Sequence, residues 1–357
     1  MPNRITQYLH NVFRSNETHL HELKYLFWEC TQRCNLRCRH CGSDCSASAA
    51  TPDMPFEDFL QAVVPLTERY GRDRITVVIT GGEPLLRKDL AQCGMALRKH
   101  GFRWGVVTNG LAYTREVHGQ LMAAGMGAAT VSLDGFETSH NYLRCNGRSF
   151  AGAMDAIDLI AGTKRLFYDV VTCVNRRNID ELEGLKELLI GRGVKAWRLF
   201  TIAPIGRAAG QEEMQLRGEE LRRLMSFIAA SRREGRMDVK FSCEAYVGSY
   251  ETRVRDGYFF CRAGINIASV LIDGSISACP NISRKFAQGN IYRDNFTEVW
   301  EERFGRMRDR GRMKSGLCAS CRDFRHCLGG AMHLRNEESG EIMVCHNRLL
   351  ATASSKV

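Results

Sequence analysis

Trp28-Glu29-Cys30-Thr31-Gln32-Arg33-Cys34-Asn35-Leu36-Arg37-Cys38-Arg39-His40-Cys41 is the stretch that decides how the chain is read. It overlaps the apolar run Tyr25–Glu29, which has the length and composition of a buried strand. The cysteines therefore fall in the loop at that strand's C-terminal end. Downstream, Ile75–Thr80, Trp104–Thr108, Ala129–Leu133, Val170–Val174 and Trp197–Ile202 repeat the strand pattern. Between them Pro55–Tyr70, Leu90–His100, Arg115–Ala124, Phe150–Ala161 and Asp180–Arg192 read as helices, with Asp180 as an N-cap and Gly101 and Gly193 at helix ends. Strand–helix alternation implies parallel strands joined by right-handed crossovers. A closed eight-unit barrel typically needs about 250 residues. The expectation is an α/β fold with a partial, open (β/α)6 barrel whose chemistry lies at the strands' C-terminal ends.

Cys34, Cys38 and Cys41 have the spacing C-x3-C-x2-C. Three thiolates can hold three corners of a [4Fe–4S] cube and leave one iron open to a small chelating molecule. A zinc site more often pairs two C-x2-C elements and fills all four positions. Cys30 and Cys45 flank the triad, and Cys30 reads as strand packing. Later strand ends carry Gly81-Gly82-Glu83-Pro84, Thr108-Asn109-Gly110 and Ser132-Leu133-Asp134-Gly135.

These motifs resemble the radical S-adenosylmethionine (SAM) superfamily, whose signature is C-x3-C-x-Φ-C with Φ usually aromatic; His40 stands at Φ. The resemblance implies that Cys34, Cys38 and Cys41 ligate the catalytic cluster. It also implies that Gly81, Gly82, Glu83 and Pro84 form the GGEP motif that meets the SAM amino group, and that Asn109, Ser132 and Asp134 lie near SAM. Arg144 sits in a stretch similar to the family's H-x3-R-G-x-G-S-F region, broken here by Cys145, and would pair with the SAM carboxylate. The implied chemistry is one-electron cleavage of SAM to methionine and a 5′-deoxyadenosyl radical, which abstracts a hydrogen atom from substrate. The motifs do not name a catalytic acid or base.

After a helix at about Glu219–Glu234 the pattern changes. Apolar stretches shorten, and Asp273-Gly274 between two strand-like runs signals a hairpin. The expected division is an N-terminal extension over 1–24, the barrel over 25–240 and a second, small α+β domain over 241–357. Cys261-x12-Gly274-x4-Cys279, then Cys318-x2-Cys321-x5-Cys327, then Cys345 resemble the SPASM domain, which holds two auxiliary clusters. That pattern places a seventh cysteine where this chain has Ala331. By the resemblance, Cys318, Cys321, Cys327 and Cys345 form one complete auxiliary cluster. Cys261, Cys279 and Cys243 hold a second with one iron open, His333 being the alternative donor; if Cys243 is instead a packed core thiol, Cys261 and Cys279 hold no stable cluster and a single auxiliary site remains. A zinc ribbon built from the last four cysteines is the competing reading.

Fifteen cysteines without a signal-type apolar start argue for metal ligation over disulfides and for a cytoplasmic setting. No run of about 18 apolar residues predicts a membrane span. The net charge of +10 suggests an acidic partner, but no nucleic-acid-binding signature accompanies it. Arg303, Arg306 and Arg310 would share one helical face and dock an acidic flavodoxin or ferredoxin as electron donor. The resemblance implies a peptide or protein substrate, with a tetrapyrrole or other cofactor precursor, or a redox sensor without turnover, as alternatives. Pro280-Asn281 after Cys279 disfavours sulfatase maturation, where an Asp is expected. The short segment before the first strand leaves no room for a leader-binding domain.

Overall fold

The computed structural model describes residues 4–353 except Cys243. Six strands fall where the apolar runs lie: β1 (Tyr25–Thr31), β2 (Thr76–Gly81), β3 (Arg103–Thr108), β4 (Ala128–Ser132), β5 (Phe167–Val174) and β6 (Ala196–Thr201). Each pairs in parallel with the next. A seventh, β7 (Asp238–Phe241), continues the parallel order beside β6. It was not anticipated, because four residues with only Val239 and Phe241 buried give a weak alternating signal.

The sheet does not end at β1. Strand β8 (Ile267–Val270) pairs in parallel with β1, and β9 (Ser275–Ser277) and β10 (Gly289–Asn290) follow antiparallel. The order is β10-β9-β8-β1-β2-β3-β4-β5-β6-β7, an open sheet. The Asp273-Gly274 hairpin is present, with Gly274 at φ +81°, a conformation that favours glycine.

The chain also forms helices α1 (Arg4–Leu20), α2 (Phe56–Val63), α3 (Pro65–Tyr70), α4 (Leu90–Lys99), α5 (Arg115–Ala123), α6 (Glu137–Arg144), α7 (Ser149–Ala161), α8 (Leu182–Gly191) and α9 (Gly218–Glu234). The expected single helix over 55–70 is two, because Pro65 opens α3 at its first turn. Asp180 is not an N-cap. It lies inside the short turn Ile179–Glu181, and its carboxylate pairs with Arg223. Helix α1 was unforeseen. It packs on the C-terminal cysteine region through Arg14, which donates to the carbonyls of Arg325 and His326. Trp28, Trp104 and Trp197 are fully buried in the core around the sheet.

The basic stretch after Glu301 is not one helix. Val299–Arg303, Gly305–Arg308 and Arg310–Met313 are three short turns of different pitch. Arg303 pairs with Asp294, and Arg310 is buried against the carbonyls of Cys261 and Ala263. The three arginines therefore do not form the expected docking face.

Candidate active site at the strand ends

The loop after β1 is anchored at its base. Thr31 Oγ1 donates to Asp53 at 2.5 Å, and Arg33 pairs with the same carboxylate. The end of β2 then clasps the loop. Gly82 N donates to Thr31 O at 2.7 Å and Glu83 N to Arg33 O at 2.9 Å. A Cβ on Gly81, which sits at φ +129°, would overlap Thr31 O, and one on Gly82 would overlap Arg33 O. The two glycines are needed here for the close approach of two backbones.

Glu83 is fully buried and already occupied. Oε1 accepts from Thr108 Oγ1 at 2.8 Å and Leu85 N at 3.2 Å, and Oε2 accepts from Asn109 N at 2.8 Å. Burial pushes its carboxyl up to about 6 against those donors. Pro84 starts the short turn that follows. Asn109 Nδ2 donates to Asn35 Oδ1 at 2.8 Å and points at Cys34 Sγ at 3.9 Å. The tips of β2 and β3 are thus tied to the cysteine loop.

On the other side stands Asp134, just past the end of β4, where Ser132 is the last strand residue. Asp134 is buried and collects Arg144 at 2.7 Å, His40 Nε2 at 3.1 Å and the Cys173 backbone N–H at 2.8 Å. Burial opposes the charge, but Arg144 and His40 outweigh it and hold the carboxyl well below the usual range. Arg144 also reaches Cys38 Sγ at 3.7 Å. It links the acid to the cysteine loop, rather than standing free for a ligand.

Cys34, Cys38 and Cys45 pack together with Leu36, with Cys41 and Leu111 against them. Burial raises the Cys34 thiol to about 11 and also raises Cys38. Cys41 is lowered by hydrogen bonds from Cys45, against its burial. Among the described residues no three Cys, His, Asp or Glu side chains converge on a single-ion site. The thiols are gathered as a donor set on one loop, and His40 Nδ1 is buried beside them without a hydrogen-bond partner. Three thiols gathered on one loop fit the ligand set of a polynuclear cluster with one iron open.

The C-terminal cysteines form a second group. Burial raises Cys327 to about 12, with Cys345 and Cys318 adding to it, and Cys345 is raised likewise beside Cys318 and Cys321. The backbone N–H groups of Gly329 and Gly330 temper the rise at Cys327, and those of Asn347 and Arg348 the rise at Cys345. Arg335 Nη2 lies 3.4 Å from Cys318 Sγ. Cys261 lines a small cavity together with Cys327. Burial opposes its ionisation, but Arg310 and the N–H groups of Met332 and Ala263 lower it overall. Ala331 is fully buried, packed with Tyr246, Phe259 and Leu334 against Cys261 and Cys327. Burial holds the His333 imidazole down at about 4. Cys243 lies outside the described residues.

Several polar residues at this end of the barrel had no sequence signal. Arg207 donates to Cys38 O at 2.8 Å and Cys45 O at 3.0 Å and pairs with Asp44. Glu244, buried and pushed up to about 8, accepts from both N and Oγ1 of Thr201, the last residue of β6. Thr201 Oγ1 also lies 2.9 Å from His346 Nε2. Cysteine spacing announces ligands, but partners brought together from distant strand ends leave no local pattern.

The family model for the radical SAM superfamily matches residues 28–189, and the SPASM model, an iron–sulfur cluster-binding domain, matches 261–323. A mycofactocin maturase MftC of Mycolicibacterium smegmatis is 30% identical over 86% of this chain and 77% of its own length. This chain belongs to the radical SAM superfamily. An AdoMet-dependent heme synthase of Methanosarcina barkeri is 26% identical over 86% of this chain and 90% of its own. Two solved structures share the fold. One is anSMEcpe with bound AdoMet, at TM-score 0.72 and 20% identity, covering 92% of this chain and 95% of that one. The other is Streptococcus suis SuiB bound to its precursor peptide SuiA, at TM-score 0.67 and 17% identity, covering 98% and 82%. Membership brings SAM and a [4Fe–4S] cluster as cofactors, and the SPASM domain brings auxiliary iron–sulfur chemistry. Among the described residues no helix is long and apolar enough to cross a membrane.

Proposed function

We propose that this radical SAM enzyme modifies a peptide or protein, with Cys34, Cys38 and Cys41 holding the catalytic cluster. When bound, that cluster and SAM supply a 5′-deoxyadenosyl radical that removes a hydrogen atom from substrate. The Asp134–Arg144–His40 network fixes the loop from one side, and Glu83 with Asn109 fixes it from the other. His40, whose Nδ1 has no hydrogen-bond partner, and Asn109 would border SAM in this arrangement. Cys318, Cys321, Cys327 and Cys345 hold an auxiliary cluster, with Cys261 and Cys279 part of a second. Reduced flavodoxin or ferredoxin provides the electron, in keeping with the +10 charge of the chain.

The observation that carries the peptide reading is a cleft of about 320 Å³ at the barrel mouth. Gly42 and Ser43 of the cysteine loop form one wall, Ile205 and Gly206 after β6 a second, and Pro280–Arg284 after Cys279 a third. This is near the small end of ligand pockets, about 300–1,000 Å³. A cleft of this size admits one or two side chains of an extended peptide. The likeness to a maturase over most of the chain supports the same reading.

A tetrapyrrole substrate is the second reading, favoured by the match to heme synthases along nearly their full length. Reconstituted enzyme given SAM and dithionite separates the two. Release of 5′-deoxyadenosine stimulated by a short peptide encoded beside the gene, with deuterium transfer from the labelled peptide, supports modification of a peptide. Stimulation and deuterium transfer from an iron porphyrin alone would replace it by the second reading.

A further inference from the structure

Tyr142 and Arg144 stand two residues apart on α6, so their side chains leave opposite sides of the helix. Arg144 turns inward to Asp134 and Cys38 Sγ. Tyr142 turns outward, 39% exposed, and two guanidinium groups stack on its ring. Arg39, between Cys38 and His40, lies 4.3 Å from the ring centroid, and Arg177, just past β5, lies 3.9 Å from it. The cysteine loop is pinned to this helix. Arg39 N donates to Leu143 O at 2.8 Å and its Nε to Tyr142 O at 3.3 Å. Arg37 of the same loop is exposed, and exposed Arg148 lines an adjoining groove with Asn35, Leu111, Asn146 and Asp155. Leu111 is also packed against the cysteines, so the groove and the thiols share it as a wall. Among the described residues none of Arg37, Arg39, Arg148 and Arg177 is held in an ion pair. Carboxylates near the loop are spent on other partners, Asp134 on Arg144, Asp44 on Arg207 and Glu220 on Arg176. None of the four arginines lines the cleft at the barrel mouth.

We propose that the Arg39–Tyr142–Arg177 stack, with Arg37 and Arg148 around it, is the docking surface for an acidic electron-carrier protein that reduces the catalytic cluster. The inference rests on the reading that Cys34, Cys38 and Cys41 hold that cluster and that a flavodoxin or ferredoxin reduces it. The carrier gives up one electron and the oxidised cluster gains it, with no other bond made or broken. Four positive charges without counter-charges draw in a negative partner and orient it. A guanidinium already stacked on a ring is ordered, so less freedom is lost when a carboxylate pairs with it. Cys38 Sγ lies across α6 from the stack, roughly 10 Å away, the diameter of one helix. A carrier seated on Tyr142 therefore has a short path to the cluster.

The test compares full-length, anaerobically reconstituted wild type with two charge reversals. One is Arg148→Glu/Arg177→Glu. The other is Lys164→Glu/Arg165→Glu, the same change of charge at two exposed residues before β5, at the opposite end of the sheet. Binding of a purified flavodoxin is measured by calorimetry at low and high salt, and 5′-deoxyadenosine release is measured with reduced flavodoxin and with dithionite. The expected result at low salt is a Kd about tenfold higher in Arg148→Glu/Arg177→Glu and close to wild type in the control pair. The difference should shrink as salt screens the charges. Flavodoxin-driven release should fall in the first variant alone, and dithionite-driven release should be equal in all three. Equal flavodoxin binding in the three proteins would overturn the proposal. So would an equal loss in the control pair, which would assign the effect to net charge. A parallel fall in dithionite-driven release would overturn it too, since these arginines would then support the cluster rather than a carrier. A wild type that releases no 5′-deoxyadenosine even with dithionite would instead remove the reading on which the inference rests.

Discussion

Replacing Arg144 by methionine leaves the Asp134 carboxylate buried with its main counter-charge gone. The Arg144–Asp134 contact is 2.7 Å, with the two side chains 11% and 1% exposed, so water cannot take the missing role. Breaking a buried pair by removing one partner costs roughly 3–5 kcal/mol. Here His40 at 3.1 Å and the Cys173 N–H at 2.8 Å remain on Asp134, which places the loss near the lower end, about 3 kcal/mol. Anaerobic urea unfolding read by tryptophan fluorescence measures it, since Trp104 and Trp197 are buried in the barrel. The Asp134→Asn/Arg144→Met double variant, which has no unpaired charge, should recover at least half of the loss. The pH dependence follows from the sign of the shift. Asp134 has a folded-state pKa below its unfolded value of about 3.9, so its contribution is present above that value and is lost as pH falls through the folded pKa. The gap between wild type and Arg144→Met should therefore be widest near neutral pH and close in acid. A gap under about 1 kcal/mol at pH 7, the range of an exposed pair, or a double variant no better than the single one, would refute the reasoning.

Three further outcomes are expected. Gly82→Ala should displace the cysteine loop, because its Cβ would overlap Arg33 O, and should lower iron retention after desalting while a Gly119→Ala control in open space does not. Ala331→Cys restores the thiol that the family pattern places there, and should raise iron content by up to about four per chain if Cys261 and Cys279 then gain a third thiolate, as Mössbauer spectroscopy would show. Glu244 holds its proton in the folded chain up to about pH 8, whereas the unfolded chain releases it near 4.5. Its stabilising share is thus present in acid and lost as pH rises between those values, and Glu244→Gln should flatten the stability profile in that window.

The barrel was legible because buried parallel strands are continuous apolar runs, and all six runs formed strands within a few residues of their expected ends. Helix α1 was not. Its apolar residues Ile5, Leu9 and Val12 do recur at helical spacing, but they stay exposed and the helix docks through Arg14, so no buried stripe marked it. The turns after Glu301 were misread as one helix because a charge count carries no information about pitch. Within the site, the cysteine triad and the strand-end motifs could be located from spacing. What they do locally could not. Gly81 and Gly82 admit the neighbouring backbone, Glu83 is spent on Thr108 and Asn109, and Arg144 is spent on Asp134 and Cys38.

The central claim is that Cys34, Cys38 and Cys41 hold the cluster that cleaves SAM. The direct measurement is 5′-deoxyadenosine release under dithionite by anaerobically reconstituted wild type and by the Cys34→Ala/Cys38→Ala/Cys41→Ala triple variant, with iron content measured on both. The account predicts release by the wild type and none by the triple variant, which should carry about four irons fewer while keeping its auxiliary iron. Release at the wild-type level by the triple variant would contradict it.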